Sequence, residues 1–350
     1  MLTVKSAIGR TILKRVFLAS FFASLSLPSY AQDDPNEAAA KVRSMSEAET
    51  AAVLEKAERG DAASQNLAGL ICELGKDVPQ DFSRAVEWFT KASSQGLAAG
   101  QFNLGGMFWE GRGVKRDDAQ AVSFFRQAAE KEYAPAESVL GSAYLEGRGV
   151  AASLPEALRW FRRAADHGYA EAQYNLALMY QDGEGTKQDC VEAAKWYSKA
   201  AQQNHVYSID NLLVMYESGK CLKQDFVEVA KLTKQLAEMG NPNAQLNIGS
   251  YYAMGRGVPQ DEVEAGKWYS LAAEAGQPTA QFMLGQWYRD GKGGIKQDYV
   301  AAYKWFTLSV ATGGQVDGRN FLKAKMTAEQ IAAAEKEAAE WTKTHHPQEQ

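Results

Sequence analysis

Small, apolar and aromatic residues return along this chain at helical spacings, and the whole pattern recurs every 36 residues. In the first half of each repeat a small residue, a leucine and an aromatic stand four apart. Ala136, Leu140 and Tyr144 show it, as do Ala172, Leu176 and Tyr180. Residues four apart share one helix face, so the spacing predicts a helix buried along one side. A glycine follows the leucine at Gly105, Gly141 and Gly285, and Ile248 at Gly249, which lets a partner helix approach. In the second half Ala, Trp, aromatic, Ala and Ala fall at i, i+3, i+4, i+7 and i+8. Ala157, Trp160, Phe161, Ala164 and Ala165 are one set; Ala265, Trp268, Tyr269, Ala272 and Ala273 are another. This predicts a second helix whose core stripe sets large rings against small gaps.

Punctuation separates the two helices. Gly-x-Gly-Val recurs at Gly111–Val114, Gly147–Val150 and Gly255–Val258. Its first glycine suits the left-handed conformation that ends a helix. An aspartate with a glutamate three residues on then opens the second helix: Asp189/Glu192, Asp225/Glu228 and Asp261/Glu264. That is the spacing of a reciprocal capping box. Ser153/Glu156 keeps it, with Pro155 in the first turn where a missing amide does no harm.

Segments 61–96, 97–132, 133–168, 169–204, 205–240 and 241–276 align without a gap, and 277–313 has one extra residue in its Gly-rich loop. A lone hairpin of this size cannot bury its stripe, but stacked neighbours can. The expected fold is therefore all-α, a right-handed α/α superhelical solenoid of seven helix-turn-helix repeats over 61–313. Residues 32–60 read as an N-terminal cap segment, with 47–60 as a lone second helix. Residues 314–350 read as C-terminal capping helices (319–325 and 327–343) and a tail. Thr327 with Gln330 repeats the capping-box spacing, and 32–46 and 344–350 are expected to fray. Two repeats deviate. The first has Cys72 for the aromatic and Asp77 for the second turn glycine. The fifth has Leu232 and Thr233 for Trp and the aromatic, and Cys221 for that glycine.

The N-terminus follows a different rule. Lys5, Arg10, Lys14 and Arg15 precede an uncharged apolar run from Val16 to Leu27, and Ser29-Tyr30-Ala31 follows. This matches a signal peptide over residues 1–31, cut after Ala31. The apolar run spans roughly 18 Å as a helix, short for a membrane anchor. Its removal takes away four cations and no anion, moving the formal charge from −5 to −9. The mature protein is expected in the periplasm or outside the cell, without membrane insertion and where disulfides are permitted. The acidic balance argues against nucleic acid, which calls for clustered Lys and Arg. Four His and three Cys leave little for a metal cluster, and no cofactor is indicated.

Catalytic readings are weak. The Gly-x-Gly turns lack the Lys-Ser/Thr of a phosphate loop. His167 and His205 stand at repeat ends without a nucleophile motif, His345-His346 lies in a polar tail, and the recurring carboxylates are helix caps. Asn recurs just before the leucine position at Asn103, Asn175, Asn211 and Asn247. A row of amides offers donors and acceptors to an extended peptide, or bonds the neighbouring repeat instead, which is the preferred reading. Cys190 and Cys221 lie in successive turn regions; a bridge between them and two separate thiols both stay open. Cys72 reads as a buried thiol.

The combination Ala-x3-Leu-Gly-x2-Tyr-x2-Gly-x-Gly-Val-x2-Asp-x3-Ala-x2-Trp-aromatic-x2-Ala-Ala-x2-Gly over Asp61–Gly313 resembles the Sel-one-like repeat family, which is close to the tetratricopeptide repeats. The resemblance implies a non-catalytic scaffold that binds another protein or peptide in a concave groove. Exported bacterial members resemble envelope adaptors, regulators of sensor kinases, toxin-immunity proteins and secreted host-contact factors. A cell-wall enzyme or glycan-binding accessory is the alternative from another class. In the tetratricopeptide fold, positions two before, two after and five after the leucine face the groove. Carried over, these are Phe102, Gly106 and Trp109; Tyr174 and Leu178; Phe282, Gln286 and Arg289. Trp109 lies outside the core pattern and is the leading candidate for an exposed aromatic anchor. An aromatic here alternatively packs on the preceding repeat. That reading is preferred for Tyr174 and is equally open for Trp109.

Overall fold

The protein is described here by a computed structural model covering residues 35–314 and 317–345. The signal segment 1–31 and His346 lie outside the described residues. Local chemistry sets the helix limits. Each first helix of a repeat ends on a glycine with φ between 65° and 74°, from Gly75 through Gly291. Second helices start at an extended aspartate or serine whose side chain accepts an amide proton from the first turn, as Asp81 does from Arg84 (3.0 Å) and Asp261 from Glu264 (2.9 Å). The reciprocal half of the expected capping box is absent from these helices. Glu192, Glu228 and Glu264 turn instead to Lys195, Lys231 and Lys267. Complete boxes form at Ser46/Glu49 and Thr327/Gln330.

The turn's second glycine answers to tertiary contact. A Cβ on Gly113, Gly149 or Gly257 would collide with the backbone carbonyl of Phe82, Asp118 or Phe226, at the start of the preceding second helix. Each turn also closes with an amide of the next helix cap bonded back to the first helix. Asp261 donates to Tyr252 (2.9 Å), and Asp298 to Tyr288 (2.8 Å) across the one-residue-longer loop.

The described chain divides into two compact units, residues 35–203 and 204–345. The first contains α1 (Pro35–Ser44), α2 (Glu47–Glu58), α3 (Ala62–Leu74), α4 (Phe82–Ser94), α5 (Ala98–Glu110), α6 (Asp118–Ala129), α7 (Ala134–Glu146), α8 (Leu154–Asp166), α9 (Ala170–Asp182) and α10 (Cys190–Gln202). Helices pack in sequence order, each pair against itself and each second helix against the next first helix. Residues 35–44, expected to fray, are helical because Val42 is buried in the core beside Ala57. Phe89, Phe125 and Phe161 are buried on Gly69, Gly105 and Gly141, where a Cβ on Gly141 would stand 2.6 Å from Phe161.

Polar clasps join successive hairpins. Gln173 donates to the Ala165 carbonyl (3.2 Å) and accepts from Gln203 (2.9 Å); Gln65 does the same with Ala57 and Gln95. In 133–168 the same two positions hold Glu137 and His167, 2.9 Å apart, with Arg163 at 3.0 Å from the fully buried carboxylate. Arg148 makes a second tie. Its guanidinium lies 3.5 Å over the Trp109 ring, donates to the Trp109 carbonyl and pairs with Asp118 at 3.0 Å. Hydrogen bonds from Arg116 and Arg148 hold the Asp118 carboxyl well below the usual carboxylate range.

The second unit contains α11 (Val206–Ser218), α12 (Phe226–Glu238), α13 (Pro242–Met254), α14 (Glu262–Glu274), α15 (Pro278–Asp290), α16 (Tyr299–Ala311), α17 (Arg319–Lys323) and α18 (Ala328–His345). Tyr269 and Phe306 lie on Gly249 and Gly285. α18 packs on α16, with the Trp341 and Trp305 rings 6.4 Å apart and the Trp341 indole donating to Glu274 (2.7 Å). The deviant repeat 205–240 is nevertheless a helix pair. Where most repeats set a ring on glycine it has buried Thr233 and half-buried Leu213, and at the two clasp positions it has buried Ile209 and exposed Met239. Replacing both amides of a clasp avoids leaving one of them orphaned in the core.

The bridge considered between Cys190 and Cys221 is not formed, and all three cysteines are thiols. Cys190 is the first residue of α10 and lines the depression of its own loop, Thr186–Val191.

Two stability experiments follow from these contacts. Gly240 has φ +88° and open space around its missing side chain, whereas Gly257 meets Phe226. Gly240→Ala should cost about 1 kcal/mol of backbone strain. Gly257→Ala should add about 1–3 kcal/mol of overpacking. Equal losses in chemical denaturation would refute the close-approach role. Because folding depresses the Asp118 pKa, its contribution is present above the unfolded value near pH 3.9 and drains as pH falls. Asp118→Asn should therefore lower the melting temperature at neutral pH, with the gap from wild type narrowing towards about pH 2. A gap independent of pH would contradict the ion pair's part in it.

Candidate functional site

Packing covers most of each first helix and, in most repeats, leaves one strip partly or fully exposed. The strip follows the third, seventh, tenth and fourteenth residues of a repeat, whose spacing keeps them on one face. In the first unit it carries Asn103, Gly106 and Glu110 on α5 and Asn175, Leu178 and Asp182 on α9. On α7 it is partly closed, since Val139 is half-buried and Ser142 buried. The strip of the second unit is more apolar. α11 presents Tyr207, Asn211, Val214 and Ser218; α13 presents Asn243, Asn247, Ser250 and Met254. Val214 and Met254 are each 63% exposed, and Tyr207 is 44% exposed.

The aromatic residues singled out from sequence sit elsewhere. Phe102 is buried between Phe125 (5.6 Å) and Tyr133 (5.4 Å), and Tyr174 against Tyr197 (5.9 Å). Phe282 is half-buried 5.4 Å from Phe306. All three face the second helix of their repeat. Trp109 is 7% exposed, with its edge on Phe125 and its face under Arg148. It is a tie between repeats, which corrects its reading as an exposed anchor. Arg289 is half-buried, paired with Asp290 (2.7 Å) and 5.6 Å from the Phe321 ring.

The asparagines do not behave as one row. Asn103 donates to Asn66 of the preceding repeat (2.8 Å), and Asn211 to the Tyr207 carbonyl of its own helix (2.8 Å). The side chains of Asn175 and Asn247 make no hydrogen bond to a described residue, and Asn247 is exposed. Sequence reasoning missed Tyr207, Asp210, Val214 and Met254. The available signal was interruption of the pattern: Asp210 stands where Phe102, Tyr174 and Phe282 stand in their repeats.

The strip offers apolar contact with amide and carboxylate hydrogen bonding. Among the described residues no three His, Cys, Asp or Glu gather as a metal site, and no helix is long and apolar enough to cross a membrane. His167 and His205 serve local structure, the first on Glu137 and the second capping α11 through the Ser208 amide (3.3 Å).

The Sel1 repeat model matches residues 62–97, 98–133, 134–169, 170–205, 242–277 and 278–311. It passes over 206–241, the repeat that exchanges its ring and glycine for Thr233 and Leu213. A Sel1 repeat protein from Oxalobacter formigenes is 34% identical over 61% of this chain and 87% of its own, with a TM-score of 0.52. A protective antigen present in uropathogenic Escherichia coli strains, displaying an SLR fold, is 26% identical over 84% of this chain and 87% of its own, with a TM-score of 0.35. The immunity protein Pa5087 from Pseudomonas aeruginosa is 17% identical over 66% and 88%, with a TM-score of 0.32. None of the curated proteins matches. With stacked helix pairs in both units and more than half of its residues matched, this chain belongs to the Sel1 repeat family, α-solenoid proteins that generally serve as scaffolds for protein–protein interaction.

Proposed function

We propose that this protein is an exported, non-catalytic scaffold that holds another protein or a peptide along the bare strip of its first helices. An envelope adaptor, a sensor regulator and a toxin-immunity protein would each use such a wall. The observation that supports it best is the pair Val214 and Met254. Each is mostly exposed on the strip, and neither takes part in the ring-on-glycine packing. Apolar residues set among Asn211, Asn247 and Ser250 match the make-up of a recognition patch, apolar contacts within a polar frame.

Val227 is a matched control, 62% exposed at the start of α12 and off the strip. Val214→Asp should abolish partner capture in a cell-envelope extract, Val227→Asp should leave it intact, and both variants should melt with the wild type. Equal capture by the two variants would remove the strip from the function. Export rests on the N-terminal residues. The mature protein should begin at Gln32 on N-terminal sequencing of the envelope or secreted fraction, and an uncut chain held in the cytosol would refute it.

A further inference from the structure

One junction on the strip of residues 204–345 lacks the closure that joins Asn66 to Asn103. The sixth residue of one repeat faces the seventh of the next, as Asn66 and Asn103 do with their amides 2.8 Å apart. Four repeats further on, these positions are Asp210 and Asn247. Both are exposed, and neither side chain bonds a described residue. In three other repeats the sixth residue is a ring packed on the second helix, as Phe282 is on Phe306. Here the opposing ring is replaced by Thr233, so internal packing gives no reason for a carboxylate at 210.

The charge around Asp210 is one-sided. α11 and α13 carry Asp210 and Glu217 and no cation. Glu217 accepts from the Tyr251 hydroxyl (3.3 Å) and adjoins the turn that contains Lys220 and Lys223. Asp210 lies seven residues back, about 10 Å along the helix. Neighbouring atoms shelter its carboxyl and raise its pKa by desolvation, with no cation opposing the rise. Tyr207 and Val214 lie three residues before it and four after, on the same helix face and both exposed. The result is a carboxylate that only accepts hydrogen bonds, an amide oxygen across the junction, and apolar surface on either side.

We propose that this junction receives a basic side chain of the protein partner. The stem of an arginine or lysine lies on Tyr207 and Val214, and its cationic end meets Asp210 and the Asn247 carbonyl oxygen. Long basic side chains bury their stems while their ends seek charged acceptors. The assignment rests on the strip being the docking wall and adds the chemistry of what docks.

The test is selection of short random displayed peptides on the full mature chain and on two variants. Wild type should enrich peptides with Arg or Lys beside an apolar residue. Asp210→Asn should lose the basic preference while keeping the apolar one. It should weaken a selected peptide about tenfold at low salt, with the difference shrinking at high salt and the melting temperature unchanged. Val214→Asp should abolish enrichment. Selected peptides that lack basic residues, that are acidic, or that bind Asp210→Asn as well as wild type would overturn the proposal and leave the wall in place. Enrichment unaffected by Val214→Asp, or no enrichment on wild type, would overturn the wall and the proposal together.

Discussion

The contact on which everything else depends is a buried aromatic ring lying on a glycine of the helix beside it. Phe161 on Gly141 is one case, and Tyr269 on Gly249 and Phe306 on Gly285 are others. A ring buries a large apolar area, and removing one from a close-packed site typically costs about 3–5 kcal/mol. The glycine makes that burial geometrically available. Once the ring is seated, the two helices of a hairpin are fixed in distance and register, and their Ala residues form the surface on which the next hairpin stacks. The first helix then has one face against its partner, flanks against its neighbours, and a fourth side that packing leaves more open. The strip that presents Val214 and Met254 is what remains after packing is satisfied.

Within this frame the repeats vary in matched pairs. Gln65 with Gln95 and Gln173 with Gln203 form amide clasps, Glu137 with His167 forms a carboxylate–imidazole one, and Ile209 and Met239 stand at these positions where there is none. Changing one partner alone orphans a buried polar atom. The Oε1 of Gln245 shows this: Ala275 stands where a clasping residue would be, and the atom has no hydrogen-bond partner. By the same reasoning repeat 205–240 is a coherent variant rather than a decayed copy. Its ring, glycine and both clasp residues are all replaced, and Asp210 places a charge on its surface.

Much of the architecture was legible because it depends on local rules that repeat. Helix starts followed the Asp caps and helix ends the turn glycines, since both are properties of a few adjacent residues. The packing glycine and the aromatic stripe were visible as spacing. Side-chain destinations were less so. Trp109 looked detached from the core because its cover, Arg148, comes from the following repeat and its pairing with Asp118 cannot be read from spacing. The glutamates three residues into the second helices had the geometry for a full box, but a lysine three residues further on competed for them. The strip was partly legible from the groove positions of a related fold: the position two after the leucine, Gly106 and Leu178, lies on it, whereas Phe102 and Tyr174 face inward. Asp210 carried the clearer mark, a carboxylate at a position that holds a ring in three other repeats.

The turn of the last repeat has a further consequence. Its extra residue lies wholly within the loop closed by the Asp298–Tyr288 bond, with Gly293 and Gly294 both in left-handed conformations. The helices on either side keep their faces aimed as in the shorter turns, so the loop works as an expansion joint. Chain length varies there without rotating any helix about its axis, and these turns, rather than the helices, are where the array tolerates inserted segments.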